Sequence, residues 1–247
     1  MQMQQNTPIH CFYRLAESPA AQPKQKIDSA TKLACLENCI DILGVRSVIV
    51  FGDRVSGETR KMVESLGVQF VKVDEGSGGG NFRTALNSAL ELPDEELAYF
   101  LEDDFLHRPG AREALIDGLQ MDAEYVTLYD HPDKYLSPGD GGNPLVRHGG
   151  EKTRLLCGRV CHWKITNSTV MTFACRIRHL RADQRTILKY CSGRYTDDYR
   201  MFRSLAWRGR RLICSIPGYA THCESRWLSP FYNWSALPAR KGGPPTK

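Results

Sequence analysis

One stretch constrains this chain more than any other: Leu97-Ala98-Tyr99-Phe100-Leu101 runs directly into Glu102-Asp103-Asp104, and Phe105-Leu106-His107 follows. Five consecutive apolar residues suit a strand buried on both faces, and Pro109 then opens a helical pattern through Ala111, Leu115 and Leu119. Three adjacent carboxylates at the tip of such a strand repel one another and require a counter-charge. A hard divalent cation such as Mg2+ or Mn2+ is the natural one, and in an open α/β sheet this tip is where ligands bind. The same residues would also serve as a solvated acidic turn before a helix, where negative charge is favourable.

The segments around this stretch alternate. Ile9 to Leu15 is a strand candidate, followed by a Pro-, Gln- and Lys-rich loop to Ile27 and a helix capped by Asp28 or Ser29, with Leu33, Leu36, Ile40 and Leu43 on one face and Gly44 at its end. Ser47 to Phe51 is a parallel-type strand ending in Gly52-Asp53, and Glu58 to Leu66 is a helix stopped by Gly67. Val68 to Val73 is the next strand. After the loop from Asp74 to Asn81, a helix carries Phe82, Ala85, Leu86, Ala89 and Leu90 on one face, and Pro93 ends it. Glu124 to Asp130 is a further strand. This alternation predicts an α/β domain with a mostly parallel central sheet and helices on both faces. From His131 to Glu151 the chain is rich in Gly and Pro, a long connection of the functional kind. Strands at Thr153 to Val160 and Trp163 to Ala174, helices at Ile177 to Tyr190 and Asp197 to Trp207, and a strand at Arg211 to Ile216 complete a smaller α+β portion. The basic end from Pro238 to Lys247 has the composition of a disordered tail.

With 247 residues, 41% of them hydrophobic, the chain has room for one substantial core. Its net charge of +5 suits an anionic ligand or an anionic membrane surface. The basic residues lack the interleaved aromatics of a base-stacking platform, so nucleic acid is not an expected partner. Nine scattered cysteines, with Met1 to Thr7 polar, fit reduced thiols in a cytoplasmic protein. Cys35 and Cys39, like Cys157 and Cys161, are spaced as helix and strand burial often requires, without the paired CxxC of structural zinc. No apolar run reaches the roughly 20 residues of a membrane span, so any membrane association would be peripheral.

The loop Gly76-Ser77-Gly78-Gly79-Gly80-Asn81 follows the third strand and lacks a Gly-Lys-Ser/Thr ending, which weakens both the dinucleotide and the P-loop readings. Its amides could still meet a phosphate at the helix start, with Arg83 adding charge, or it could be a plain flexible turn.

Polar groups thus stand at consecutive strand ends: Tyr13-Arg14, Asp53, Asn81 to Arg83, and Glu102-Asp103-Asp104. In this order they resemble the GT-A glycosyltransferases, in which a nucleotide-sugar lies across the strand ends and an acidic motif holds Mn2+ or Mg2+ on the diphosphate. The resemblance runs from Ile9 to Trp234. The segments Tyr129 to Tyr135, His162 to Thr169 and Thr221 to Glu224 are similar to a smaller group within that fold, which includes a glycosyltransferase domain of a large algal-virus protein.

The resemblance implies a GT-A-like fold, with 9–130 as the nucleotide-sugar-binding half, 131–235 as the acceptor and catalytic half of the same domain, and 236–247 as the tail. It implies a metal-dependent, inverting glycosyltransferase that moves a sugar from a nucleoside diphosphate sugar, UDP-type by preference, to a hydroxyl of a glycan or other acceptor. Tyr13 would face the base, with Arg14 beside it, and Asp53 would hydrogen-bond the base. Asn81 and Arg83 would approach the phosphates, and Asp103 the ribose. Asp104 would bind the metal, with Glu102 and His222 as further ligands. Asp198, with Asp197 second, would take the acceptor's proton, and Asp130, His131 and Trp163 would line the acceptor side. Read without the family, Asp197 and Asp198 make an N-cap and a first-turn acid, and Trp163 a core residue. Such an enzyme would work in the cytoplasm or peripherally at the inner face of a membrane. Two rivals stand beside it: a sugar-1-phosphate nucleotidyltransferase, which wants a glycine-rich basic loop where Leu15 to Pro19 stands, and a non-catalytic module binding anionic glycan or nucleic acid.

Overall fold

The computed structural model describes residues 8–17, 25–146 and 150–237. The basic tail from Pro238 and most of the loop after the first strand lie outside these. Eleven strands and six helices follow in order: β1 Ile9–Ala16, α1 Lys32–Leu43, β2 Val48–Asp53, α2 Gly57–Ser65, β3 Gln69–Val73, α3 Gly78–Leu90, β4 Leu97–Glu102, β5 Phe105–His107, α4 Ala111–Gln120 and β6 Tyr125–Thr127. Then come β7 Leu155–Cys157, β8 His162–Ile165, β9 Phe173–Arg176, α5 Ile177–Tyr190, α6 Asp198–Trp207, β10 Leu212–Ile216 and β11 Ala220–His222.

Nine strands form one sheet in the order β3-β2-β1-β4-β9-β6-β10-β8-β7. The first four positions are all parallel, β9 runs antiparallel between β4 and β6, and β8 runs antiparallel beside β10. The fold is therefore α/β with a mostly parallel central sheet and helices on both faces. Alternation along each strand divides the core accordingly. Cys11, Tyr13, Leu15, Tyr99 and Leu101 point to the face covered by α1, α2 and α4, while Phe12, Ala98 and Phe100 point to the face covered by α3, α5 and α6. On the second face Phe12, Phe100, Phe82, Phe173, Tyr125 and Phe202 form a continuous run of ring contacts with centroids 5.1 to 6.2 Å apart. Among the described residues, no helix is long and apolar enough to cross a membrane.

Three local readings of the sequence change. The cap of α1 is Thr31, whose hydroxyl accepts from the Ala34 amide, and Asp28 and Ser29 precede it in a turn. Leu33 is 41% exposed because Cys35, Leu36, Cys39, Ile40 and Leu43 form the buried face instead. The stretch from Trp163 to Ala174 holds two strands, β8 and β9, parted by Val170 and Met171, both at φ +52°. A left-handed pair, one member β-branched, cannot continue an extended strand. The cysteines carry no disulfide; Cys11 and Cys39 bring their thiols to 3.7 Å in the core, where burial pushes the Cys11 thiol up.

Candidate metal and nucleotide site

The acidic motif sits at the carboxyl end of β4, the last of the four adjacent parallel strands and the neighbour of antiparallel β9, and each of its carboxylates meets a protein cation. Arg14, one strand over on β1, donates to Glu102 Oε1 at 3.1 Å. Lys32, on the first turn of α1, bonds Asp103, which also accepts from the Ala16 amide at 3.1 Å. Lys26 places its Nζ 2.9 Å from Asp104 Oδ2. The counter-charge that three adjacent acids require is thus supplied in part by side chains, a point the sequence reading missed. Lys26 and Lys32 flank the β1–α1 connection, so their placement at the strand end was the available signal. Burial raises Glu102 and Asp103 against the pull of Arg14 and Lys32. It works to raise Asp104 too, but the hydrogen bond and charge of His222, then Lys26, outweigh it and hold that carboxyl well below the usual range.

His222 reaches the motif through a structure too short to read from sequence. Directly after the acids the chain forms β5, which pairs antiparallel with β11, Phe105 opposite His222. The Cys223 amide donates to the Asp104 carbonyl at 2.8 Å, and the Glu224 amide to His222 Nδ1 at 3.3 Å. That leaves Nε2 facing Asp104 Oδ2 at 3.0 Å, with the ring edge-on to Phe105. Among the described residues, Glu102, Asp104 and His222 bring together metal-ligating atoms that all lie within 4.8 Å of one another. Asp104 Oδ1 is buried with no hydrogen-bond partner, an acceptor with capacity to spare. Two carboxylates and an imidazole suit Mg2+, Mn2+ or another divalent ion of that kind.

The glycine-rich loop is closed on itself. Asp53, at the end of β2 and 2% exposed, accepts from the amides of Glu75 and Gly76 through Oδ1 and of Ser77 through Oδ2. Ser77 caps α3 by accepting from Gly80, and the Gly79 amide donates to the Arg194 carbonyl. These amides are therefore engaged, and the three glycines lie inside the first turn of the helix rather than in a loop. Gly79 is required by packing: a Cβ there would stand 2.2 Å from the Gly193 carbonyl oxygen. Asn81 is buried and donates to the carbonyls of Phe51 at 3.1 Å and Leu15 at 3.5 Å, tying α3 to the ends of β1 and β2. Arg83 donates to the Cys191 carbonyl at 2.7 Å and reaches Glu75.

Around the cluster, Arg14 links the motif to the rest of the sheet top. It also donates to the Met171 carbonyl at 3.1 Å and lies over the Phe82 ring. Asp198 Oδ2 accepts from the amides of Thr169 and Val170 at 2.5 and 2.6 Å, bracing the left-handed turn that presents that carbonyl. Asp197 is the N-cap of α6 and accepts from Arg200. Tyr13 is wholly buried beneath α1 and presents no face to a ligand. Trp163 is wholly buried as well, against α4, with its indole N–H on Asp117 at 3.2 Å. It is a core residue and lines no acceptor surface. Asp130 is fully buried, accepting from the Tyr135 hydroxyl at 2.7 Å and paired with Lys164 at 2.8 Å. His131 accepts from the Asp133 amide and packs at a tilt of 35° against Trp227, with ring centroids 5.0 Å apart.

No protein-family model and no curated protein matches this sequence. Solved structures do match its fold. A CMP:2-keto-3-deoxy-manno-octonic acid synthetase complexed with CTP is similar over 86% of this chain and 92% of its own, at 13% identity and a TM-score of 0.51. A nucleotidyl transferase from Methanothermobacter matches 85% of this chain and 87% of its own at 13% identity and TM-score 0.49. A 4-diphosphocytidyl-2C-methyl-D-erythritol synthase from Anaerococcus prevotii matches 84% and 88% at 11% and 0.49. At these identities a likeness concerns fold alone, and the narrower algal-virus group remains a resemblance of sequence motifs. What the first comparison establishes is that this chain has a GT-A-like α/β fold of the kind found in that synthetase.

Proposed function

We propose that this chain is a divalent-metal-dependent transferase that works on a nucleotide-activated sugar, and that the reaction is glycosyl transfer from a nucleoside diphosphate sugar to a hydroxyl. The observation that carries this reading is the group Glu102, Asp104 and His222 at the carboxyl end of β4, with ligand atoms within 4.8 Å of one another. A divalent ion there would offset the charge that develops on a departing diphosphate. In this reading the acceptor oxygen bonds to the sugar's anomeric carbon as the bond to the diphosphate oxygen breaks, and Asp198 takes the acceptor's proton on Oδ1, its other oxygen being held by two amides. At the end of β1 the sequence carries Leu15 to Pro19 in place of the glycine-rich basic loop that a nucleotidyltransferase wants. Glu17, an acid, is fixed there by the Ser56 amide and the Thr59 hydroxyl.

The fold comparison favours a second reading, nucleotidyl transfer, because the synthetase whose fold this chain shares was solved with CTP. There a sugar's anionic oxygen would attack the α-phosphorus and release pyrophosphate, with no base required. The two are separated by incubating the full chain with Mn2+ or Mg2+ and either nucleoside diphosphate sugars with sugar acceptors or nucleoside triphosphates with sugar phosphates. Nucleoside diphosphate release in the first set, lost in Asp104→Asn, supports glycosyl transfer. Pyrophosphate release in the second set supports the alternative. Neither product, with folded protein, would overturn both.

A further inference from the structure

The acids of the motif are matched one to one by cations on neighbouring elements: Arg14 with Glu102, Lys32 with Asp103, and Lys26 with Asp104. The three pairs are not equally mobile. Arg14 is 5% exposed and held at two further points, by the Met171 carbonyl and the Phe82 ring. Lys32 is also held by the Ala16 carbonyl. Among the described residues, the Lys26 ammonium meets only its carboxylate partner, and 35% of its side chain stays in solvent. Its backbone, by contrast, is fixed beside the site. Ile27 donates to the Cys223 carbonyl at 3.1 Å and Ser225 donates to the Gln25 carbonyl at 2.8 Å, so Lys26 faces Glu224, two residues past His222.

The oxygen that Lys26 touches is the one that His222 Nε2 touches, Asp104 Oδ2. A divalent ion shared by Asp104 and His222 would add two positive charges to a site already balanced, a few ångströms from an ammonium group. Coulomb repulsion at that range is substantial even in a water-like dielectric. A ligand bearing a diphosphate reverses the balance, since its negative charges offset both the metal and the freed lysine.

We propose that Lys26 is a tethered counter-cation of Asp104, so that a divalent ion enters the Glu102–Asp104–His222 cluster together with a diphosphate group, toward which Lys26 turns. This rests on the metal site of the proposed function and names how its two ligands are coupled. Binding of metal and diphosphate is then mutually reinforcing, by the same factor whichever arrives first. The half-buried lysine, with one partner among the described residues and a fixed backbone, is the part that makes the exchange possible.

The test is Mn2+ binding to the full chain, followed by the loss of the free-ion electron paramagnetic resonance signal, with and without inorganic pyrophosphate as a base-independent probe. Lys26→Met is expected to bind Mn2+ alone about tenfold more tightly than the native chain, and Lys26→Arg to behave as native. Pyrophosphate is expected to tighten Mn2+ binding about tenfold or more in the native chain and clearly less in Lys26→Met. Equal Mn2+ affinity in the native chain and Lys26→Met, or no effect of pyrophosphate on the native chain, would overturn the proposal. These outcomes are distinct from those of the activity assay. Turnover by a native chain whose Mn2+ affinity is unmoved by Lys26→Met would sink the coupling and keep the enzyme. The expected metal shifts without any turnover would do the reverse.

Discussion

What a carboxylate can do depends on which of its oxygens is already engaged. Asp53 has both oxygens on backbone amides, so it organises the loop from 74 to 77 and has little left for a base. Replacing it with alanine orphans three amides and should cost about 3 kcal/mol in urea unfolding, whereas asparagine should retain part of that. Asp198 is different, because a single oxygen accepts from both Thr169 and Val170. An asparagine there can present its amide oxygen to the same two donors. Asp198→Asn should therefore preserve the melting temperature and Mn2+ binding while lowering glycosyl transfer by about 100-fold or more. Asp198→Ala should lose about 2 kcal/mol of stability in addition, since two amides of a strained turn lose their acceptor. Full activity in Asp198→Asn would assign the residue to bracing the turn alone and leave the acceptor's proton to another group.

At the level of elements, legibility followed length and regularity. The continuous apolar runs of β2 and β4 and the 3.6-residue period of α3 were visible because burial on two faces or one stripe leaves a pattern. The pair β5 and β11, three residues each, leaves none, yet it delivers His222 to Asp104. The break between β8 and β9 was equally hidden, since Val170 and Met171 are ordinary strand residues held left-handed by Asp198 from a distant helix. The start of α3 is hidden for a related reason: the acceptors that occupy the amides of Gly76, Ser77 and Gly79 come from Asp53 and Arg194, outside the segment. This gives a sharp expectation for Gly79. A methyl group there meets the Gly193 and Cys191 carbonyl oxygens at 2.2 and 2.9 Å, both backbone and unable to rotate away. Gly79→Ala should cost about 1–3 kcal/mol and speed proteolysis between Cys191 and Tyr195, while Gly78→Ala, with its first contact at 4.0 Å, should do neither.

Over the whole molecule, the sequence disclosed that acids gather at a strand end and that lysines stand near the β1–α1 connection, but not which acid each cation meets. Such pairing depends on register across β1, β4 and α1, which one chain's order does not encode locally. The same register sets a pH dependence of global stability. His107 follows the acid motif on β5, is fully buried, and has its backbone N–H and carbonyl both bonded to Asn38 of α1. Its Nε2 lies 2.8 Å from the Tyr99 hydroxyl on β4, so it ties the small β5–β11 pair to the central sheet. Burial lowers its pKa from the usual 6.5 to about 4. Between these values the unfolded chain binds the proton and the folded chain does not, so stability contributed by neutral His107 is complete above about pH 6.5 and falls as the pH is lowered toward 4. The loss between pH 7.5 and pH 5 should be about 2 kcal/mol. Carboxylates titrating in the same range are controlled for by His107→Gln, which can still meet the Tyr99 hydroxyl but carries no titrating ring. Urea unfolding of both proteins at pH 7.5, 6 and 5 should then show the native advantage over the variant shrinking by about 2 kcal/mol. An advantage that stays constant across that range would mean that His107 is protonated in the fold, and that β5 tolerates a buried positive charge three residues past Asp104.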